Sequence, residues 1–338
     1  MEETIIVVQD LQKTYGKDIR AVNGISFTVK KGEIFGFLGP NGAGKSTTIK
    51  ILTTLLEKTS GKVTIDGLDV DKDQDKVRRI IGYSSQEVGV DDDLTARENL
   101  LLQCNFYHIP KQKSKEKVEE LLKTVRLAEA ADRRLRTFSG GMRKRLDLAS
   151  ALVSEPKILF LDEPTTGLDP QSRQDIWDYI VKLNHQGMTI FLTTQYMEEA
   201  DRLASRLCIV DQGMIVAEGT PNQLKSQIGA DRITLHFKAD DLSLCDKARE
   251  LMSKLPGIQE VGKCKEGLVS ENGLTIMTKN GSAMIAQVVR ALDSSGINVE
   301  QLNLSAPTLD EVFLKLTGKT LNVVERKEAI APRGRRRR

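Results

Sequence analysis

The 338 residues include 39% hydrophobic and 29% charged side chains and carry a net charge of +3. That balance excludes a wholly disordered or collagen-like chain and gives no global electrostatic footprint for nucleic acid. A length beyond the roughly 100–200 residues of a typical domain predicts two domains. No apolar run approaches the ~18 residues needed to cross a bilayer, so any membrane role is expected to come through a partner.

In chain order, Met1, Glu2 and Glu3 lack the basic start and apolar stretch of a secretion signal. Cys104, Cys208, Cys245 and Cys264 show no C-x-x-C spacing, which predicts reduced thiols in a cytosolic compartment. β-rich runs follow at Ile5 to Val8, Ile25 to Val29 and Ile34 to Leu38, the last nearly all apolar and so a buried strand. It runs into Gly39, Pro40, Asn41, Gly42, Ala43, Gly44, Lys45, Ser46 and Thr47, after which Ile49, Ile51, Leu52, Leu55 and Leu56 predict a helix closed by Gly61.

The segment from Gly39 to Ser46 fits G-x-x-x-x-G-K-[ST] between a strand and a helix, the context that pattern needs. Its glycines let backbone N–H groups curl around phosphates, and the helix start adds its positive dipole end. Lys45 reaches β- and γ-phosphates, and Ser46 offers a hydroxyl to Mg²⁺.

From about Thr95 to Ser154 the pattern turns helical, with Leu100, Leu101, Leu121, Leu122 and Val125 at helical spacing. Ser139, Gly140, Gly141 and Met142 open a helix whose apolar face holds Leu146, Leu148 and Leu152, so its start offers a Ser cap and free N–H groups. Strands return at Ile158 to Leu161, Thr189 to Thr193 and Leu207 to Val210, the alternation of a parallel α/β sheet. The first ends in Asp162, suited to holding Mg²⁺ through water, and Glu163, suited to act as general base on an attacking water. His108, His185 and His236 do not cluster and read as ordinary surface or packing residues.

After Gly229 the predicted order is strand (Ile233 to Phe237), helix (Leu242 to Leu255), strand (Ile258 to Val261), strand (Leu274 to Thr278), helix (Ala283 to Leu292), strand (Val299 to Leu304). That is the split β-α-β, ferredoxin-like order. A last helix from Leu309 to Leu316 ends at Gly318, and Arg333 and Arg335 to Arg338 close a basic tail with nothing to bury.

Together these motifs resemble the ATP-binding cassette (ABC) superfamily over roughly Thr4 to Gly229. Gly39 to Thr47 is similar to its Walker A loop, Gln86 to its Q-loop, Ser139 to Met142 to its signature, and Ile158 to Glu163 to its Walker B. Leu168 and Asp169 resemble the D-loop, and Tyr15 occupies the place of the aromatic that stacks on adenine. Two positions depart from the pattern: Met142 stands for a polar residue in the signature, and Gln195 for the switch histidine. Glutamine donates a hydrogen bond but cannot carry a proton, which leaves Glu163 as the expected base and Gln195 to position phosphate. Gln195 and the segment from Pro307 to Gly318 narrow the resemblance to ATP-binding proteins of the daunorubicin/doxorubicin-resistance exporter subfamily.

The resemblance implies an α/β fold: a P-loop NTPase of ABC type at 1–229, with a helical subdomain near 95–154, and a small α+β ferredoxin-like regulatory or dimerisation domain at 230–320. A basic disordered tail at 321–338 is expected to follow. It implies ATP and Mg²⁺ as cofactors, with Ser46, Gln86 and Asp162 at the metal. The nucleotide would be held by Tyr15, Gly39, Pro40, Asn41, Gly42, Ala43, Gly44, Lys45, Ser46, Thr47 and Gln86, and by Ser139, Gly140, Gly141 and Asp169 across a head-to-tail homodimer. A separate permease would carry the transmembrane helices, with this subunit peripheral on the cytoplasmic face. A soluble ABC ATPase acting on ribosomes or nucleic acid is the alternative, and a single G-x-x-x-x-G-K-S argues against two-cassette ribosomal relatives.

Overall fold

The computed structural model describes residues 3–16, 18–87, 89–227, 229, 231–237, 242–262 and 272–318; the expected basic tail at 321–338 lies outside them. Two long strands, β1 (Thr4–Tyr15) and β2 (Ile19–Lys30), open the chain. Both outrun their apolar stretches, because cross-strand pairing continues to Tyr15 and Ile19. β3 (Ile34–Leu38) is buried at every position, as expected of a strand covered on both faces.

α1 (Lys45–Leu52) stops at Thr53, not near Gly61, which lies in β4 (Ser60–Ile65). The Thr53 hydroxyl donates to Ile49 O at 2.9 Å and Thr54 turns to φ +60°, so Leu55 and Leu56 fall past the helix end despite their apolar character. The short elements β5 (Leu68–Asp69), α2 (Gln74–Ile80) and β6 (Ile81–Ser84) follow. The helical insertion contains α3 (Ala96–Phe106), α4 (Lys111–Thr124) and α5 (Gly140–Ala151), which pack around Leu100, Leu122 and Leu146.

The chain then alternates through β7 (Ile158–Asp162), α6 (Pro170–His185), β8 (Thr189–Thr194), α7 (Met197–Leu203), β9 (Arg206–Asp211), β10 (Met214–Gly219) and α8 (Pro221–Ser226). The larger sheet has the order β10-β9-β3-β8-β7-β6, parallel from β9 to β6. A second sheet, β2-β1-β4-β5, lies against it. Phe27 on β2 packs on Phe35, Phe37 and Phe191 of the larger sheet with ring centroids 5.4–6.0 Å apart, and Phe191 meets Phe160 at 5.6 Å. This aromatic layer fixes β3, β7 and β8, whose carboxyl ends carry the motifs.

The C-terminal part contains β11 (Asp231–Phe237), α9 (Leu242–Ser253), β12 (Ile258–Val261), β13 (Asn272–Thr278), α10 (Gly281–Ser294) and β14 (Gln301–Ser305). Its antiparallel sheet has the order β12-β13-β11-β14 around a separate core that includes Ile233, Leu235, Ile276 and Val288. α11 (Leu309–Thr317) starts with a Thr308/Glu311 capping box and ends at Gly318, φ +68°. This last helix does not join that core. Leu309, Val312 and Phe313 pack with Leu38, Met197, Ala200, Leu207 and Ile209 of the first domain, so the expected unit at 230–320 gives its final helix to its neighbour. Cys104 and Cys208 are free and buried, whereas Cys245 is disulfide-bonded, contrary to the expectation of reduced thiols throughout.

Phe313 is 1% exposed in that shared core. Phe313→Ala is predicted to lower the unfolding free energy of the first domain by about 3–5 kcal/mol, measured by urea denaturation.

Candidate functional site

The Gly39–Ser46 loop lies at the carboxyl end of β3, anchored by Gly39 N donating to Thr194 O at 3.2 Å. Gly44 adopts φ +100°, and a Cβ there would fall 2.3 Å from Ala21 O, so this position requires glycine. The turn aims Lys45 back across the loop. Its Nζ donates to Gly39 O at 2.8 Å and Pro40 O at 3.0 Å, and lies 3.2 Å from Glu163 Oε1, with both side chains 4% exposed. Burial pushes the Lys45 ammonium below its usual range, and Glu163 opposes that shift.

Asp162 Oδ1 accepts from Ser46 Oγ at 3.1 Å and from Thr193 Oγ1 at 2.6 Å. Glu163 sits at φ +47°, a strained setting for a residue with a side chain, held by its N–H donating to Thr193 O and Oγ1, each at 3.1 Å. Its Oε2 accepts from Thr166 Oγ1 at 3.1 Å and Gln195 Nε2 at 3.4 Å. Lys45, Ser46, Asp162, Glu163 and Gln195, distant in sequence, therefore converge on one point. Two hard oxygen donors, Ser46 Oγ and Asp162 Oδ1, face each other beside a cation. That donor set fits Mg²⁺ bound through one or two protein oxygens with phosphates completing the shell. Among the described residues no group of three or more His, Cys, Asp or Glu side chains could form an all-protein cage instead.

The other expected residues lie on other elements. Tyr15 is 40% exposed at the end of β1, with the Lys13 ammonium 5.2 Å from its ring centroid. Gln86 is exposed on the loop after β6. Ser139 caps α5 by accepting from Met142 N at 3.3 Å, and a Cβ on Gly141 would fall 2.3 Å from Ser172 Oγ, so the start of α5 packs against the start of α6. Asp169 caps α6 by accepting from Ser172 N at 2.9 Å, a bond that holds its carboxyl below the usual range.

One supporting residue escaped the sequence reading. Glu199, fully buried on α7, accepts from Thr165 Oγ1 at 2.7 Å and Trp177 Nε1 at 2.9 Å, tying the Gln195 segment to the loop after Glu163. Its signal was a glutamate beside Met197, Ala200 and Leu203 on the apolar face of a helix. The carboxyl lies above its usual range because burial outweighs these bonds and the nearby Arg173.

Residues 22–166 match the ABC transporter family, and residues 219–317 match the C-terminal domain of DrrA1-3-like ATP-binding proteins. The chain is similar to the daunorubicin resistance ATP-binding protein DrrA3 of Streptomyces coeruleorubidus, at 40% identity over 96% of this chain and 99% of that one. It is also 40% identical to the doxorubicin resistance ATP-binding protein DrrA of Mycobacterium tuberculosis over 94% of each chain. The linearmycin resistance ATP-binding protein LnrL of Bacillus subtilis is 36% identical over 94% of this chain and 99% of its own. Among solved structures, a dimeric post-hydrolysis ATP-binding cassette, MJ0796 with ADP and Pi, superposes with a TM-score of 0.59 at 29% identity, covering 64% of this chain and 98% of that one. The cbiO1 subunit of the Clostridium perfringens cbiONQ transporter complex gives a TM-score of 0.62 at 25% identity, covering 75% and 97%.

Because the folded-state pKa of Glu199 exceeds its unfolded value, the stability linked to it is full below the unfolded pKa and is lost as pH rises through the folded one. Glu199→Gln, neutral at every pH, is predicted to gain in melting temperature relative to wild type as pH rises above the ordinary carboxyl range, by thermal unfolding in matched buffers.

Proposed function

The chain belongs to the ABC transporter family as an ATP-binding, ATP-hydrolysing transporter subunit, and from that premise we propose how its residues divide the work. The observation that carries the reading is the buried Lys45–Glu163 pair at 3.2 Å beside the Ser46–Asp162 hydrogen bond. Lys45 has the position in its motif that meets β- and γ-phosphates. When ATP arrives, phosphate oxygens take the Lys45 ammonium, and Glu163 gives up its cation. The freed carboxylate accepts a proton from water as the water oxygen bonds to the γ-phosphorus and the bond to ADP breaks, while the Gln195 amide donates to the γ-phosphate. Ser46 and Asp162 would hold Mg²⁺, with Gln86 as the expected third partner from the loop after β6, and the ion would supply charge neutralisation for the phosphates.

Tyr15 stacks on adenine, and Gly39, Pro40, Asn41, Gly42, Ala43, Gly44 and Thr47 surround the phosphates. Ser139, Gly140, Gly141 and Asp169 serve the nucleotide of a second copy, in a head-to-tail homodimer that closes on ATP and opens after hydrolysis. The Ser139 cap and the free N–H groups at the start of α5 support that role.

The membrane partner is a separate permease that meets this subunit at the cytoplasmic face. Among the described residues no helix is long and apolar enough to cross a membrane. A groove of about 490 Å³ between the sheet domain and the helical insertion, lined by Leu55, Arg78, Tyr83, Gln103 and Tyr107, suits a short amphipathic permease helix. Relatives named for resistance to daunorubicin, doxorubicin and linearmycin and for Nod factor export support outward transport of a drug-like, lipid or polysaccharide cargo.

With the purified full chain at saturating MgATP, Glu163→Gln is predicted to lower turnover by at least about 100-fold while ATP still binds. Near-normal turnover would remove Glu163 as base. Gln195→Ala is expected to cost about tenfold in kcat, since it removes one donor and no proton carrier.

A further inference from the structure

Two charged side chains on α5 have no part in the chemistry above and are nevertheless buried: Lys144 is 4% exposed and Asp147 6%. Burying charge costs several kcal/mol per ion unless partners offset it, so their bonds identify what they hold. Lys144 Nζ donates to Ser85 O at 2.6 Å. Asp147 Oδ2 accepts from Ser84 Oγ at 2.5 Å, and Oδ1 from Gly89 N at 3.2 Å. The ammonium and carboxylate lie 3.6 Å apart. One turn of α5 thus grips both flanks of the short segment that carries Gln86. Burial pulls the Lys144 ammonium below its usual range and Asp147 opposes that shift, so the two charges depend on each other.

The same helix begins with Gly140 and Gly141 behind the Ser139 cap. At ~1.5 Å per residue, a grip at Asp147 is about 12 Å from Ser139 along one rigid rod. A displacement of the Gln86 loop would therefore reach the helix start as a rigid-body movement.

We propose that Lys144 and Asp147 are positioning residues that lock the Gln86 loop to α5, so that the loop's response to bound nucleotide sets how Ser139, Gly140 and Gly141 are presented to a second copy of the chain. The inference rests on the dimeric reading above. A merely structural role would degrade folding, ATP binding and dimer formation together. The clasp acts on presentation, after ATP has bound.

The test uses the full chain carrying Glu163→Gln to prevent turnover, with ATP affinity measured by titration on dilute monomer and dimerisation by sedimentation with MgATP. Adding Lys144→Met is expected to leave ATP affinity within about twofold and to weaken ATP-dependent dimerisation about tenfold, with Lys144→Arg returning it to within about threefold. Ser84→Ala, which removes a single hydroxyl from the loop side, is expected to give a smaller loss in the same direction and decides the matter if Lys144→Met does not fold. Parent-like dimerisation of Lys144→Met and Ser84→Ala, or loss of ATP binding in step with dimer formation, overturns the proposal. A Glu163→Gln parent that binds ATP but stays monomeric instead overturns the dimeric reading, and this inference falls with it.

Discussion

A lysine and a glutamate that lie far apart in sequence share a dry site only because β8 runs between the strands that deliver them. β3 and β7 both pair with β8, Leu38 opposite Thr194 and Asp162 opposite Thr193. Gly39 N and Glu163 N then donate to adjacent carbonyls of that strand, Thr194 O and Thr193 O. β8 therefore acts as a ruler that sets the spacing between phosphate loop and carboxylates. The resulting Lys45–Glu163 pair is nearly solvent-free, so neither charge is comfortable without the other. A triphosphate would offer Lys45 more negative charge than one carboxylate does, and in the proposed cycle its binding would release Glu163.

Around this centre the molecule is built to hold three strand ends still. The phenylalanine layer between the two sheets fixes β3, β7 and β8 from behind. Glu199 ties α7 to the loop after Glu163 through Thr165 and to α6 through Trp177. α11 packs onto Leu38, just before Gly39, and onto Met197, two residues past Gln195. The last helix thus touches the elements behind Gly39 and Gln195, while the antiparallel sheet before it keeps a core of its own.

The buried strands were legible because parallel strands covered on both faces must be apolar throughout, as Ile34 to Leu38 is. The loop at Gly39–Ser46 was legible because Gly42 and Gly44 take positive φ, a backbone geometry that other residues rarely adopt. The end of α1 was not, because Leu55 and Leu56 extend the apolar pattern while Thr53 and Thr54 turn the backbone out of the helix. β5, α2 and β6 were too short to carry a period. Lys144 and Asp147 were hidden for another reason: a charged residue within a helical sequence reads as solvent-facing until tertiary packing shows it buried, and only the apolar residues beside Glu199 marked it out. For Asp169, the motif suggested an interface and the fold adds that its carboxylate caps α6.

The most direct test is a structure of the unmodified chain with Mg²⁺ and a non-hydrolysable ATP analogue, measuring the separation of Lys45 Nζ from Glu163 Oε1. The ammonium is expected to contact β- and γ-phosphate oxygens, with the glutamate moved out of hydrogen-bonding reach of it. A bound nucleotide with the 3.2 Å pair still intact, or with its terminal phosphate remote from Lys45 and Asp162, would contradict that expectation.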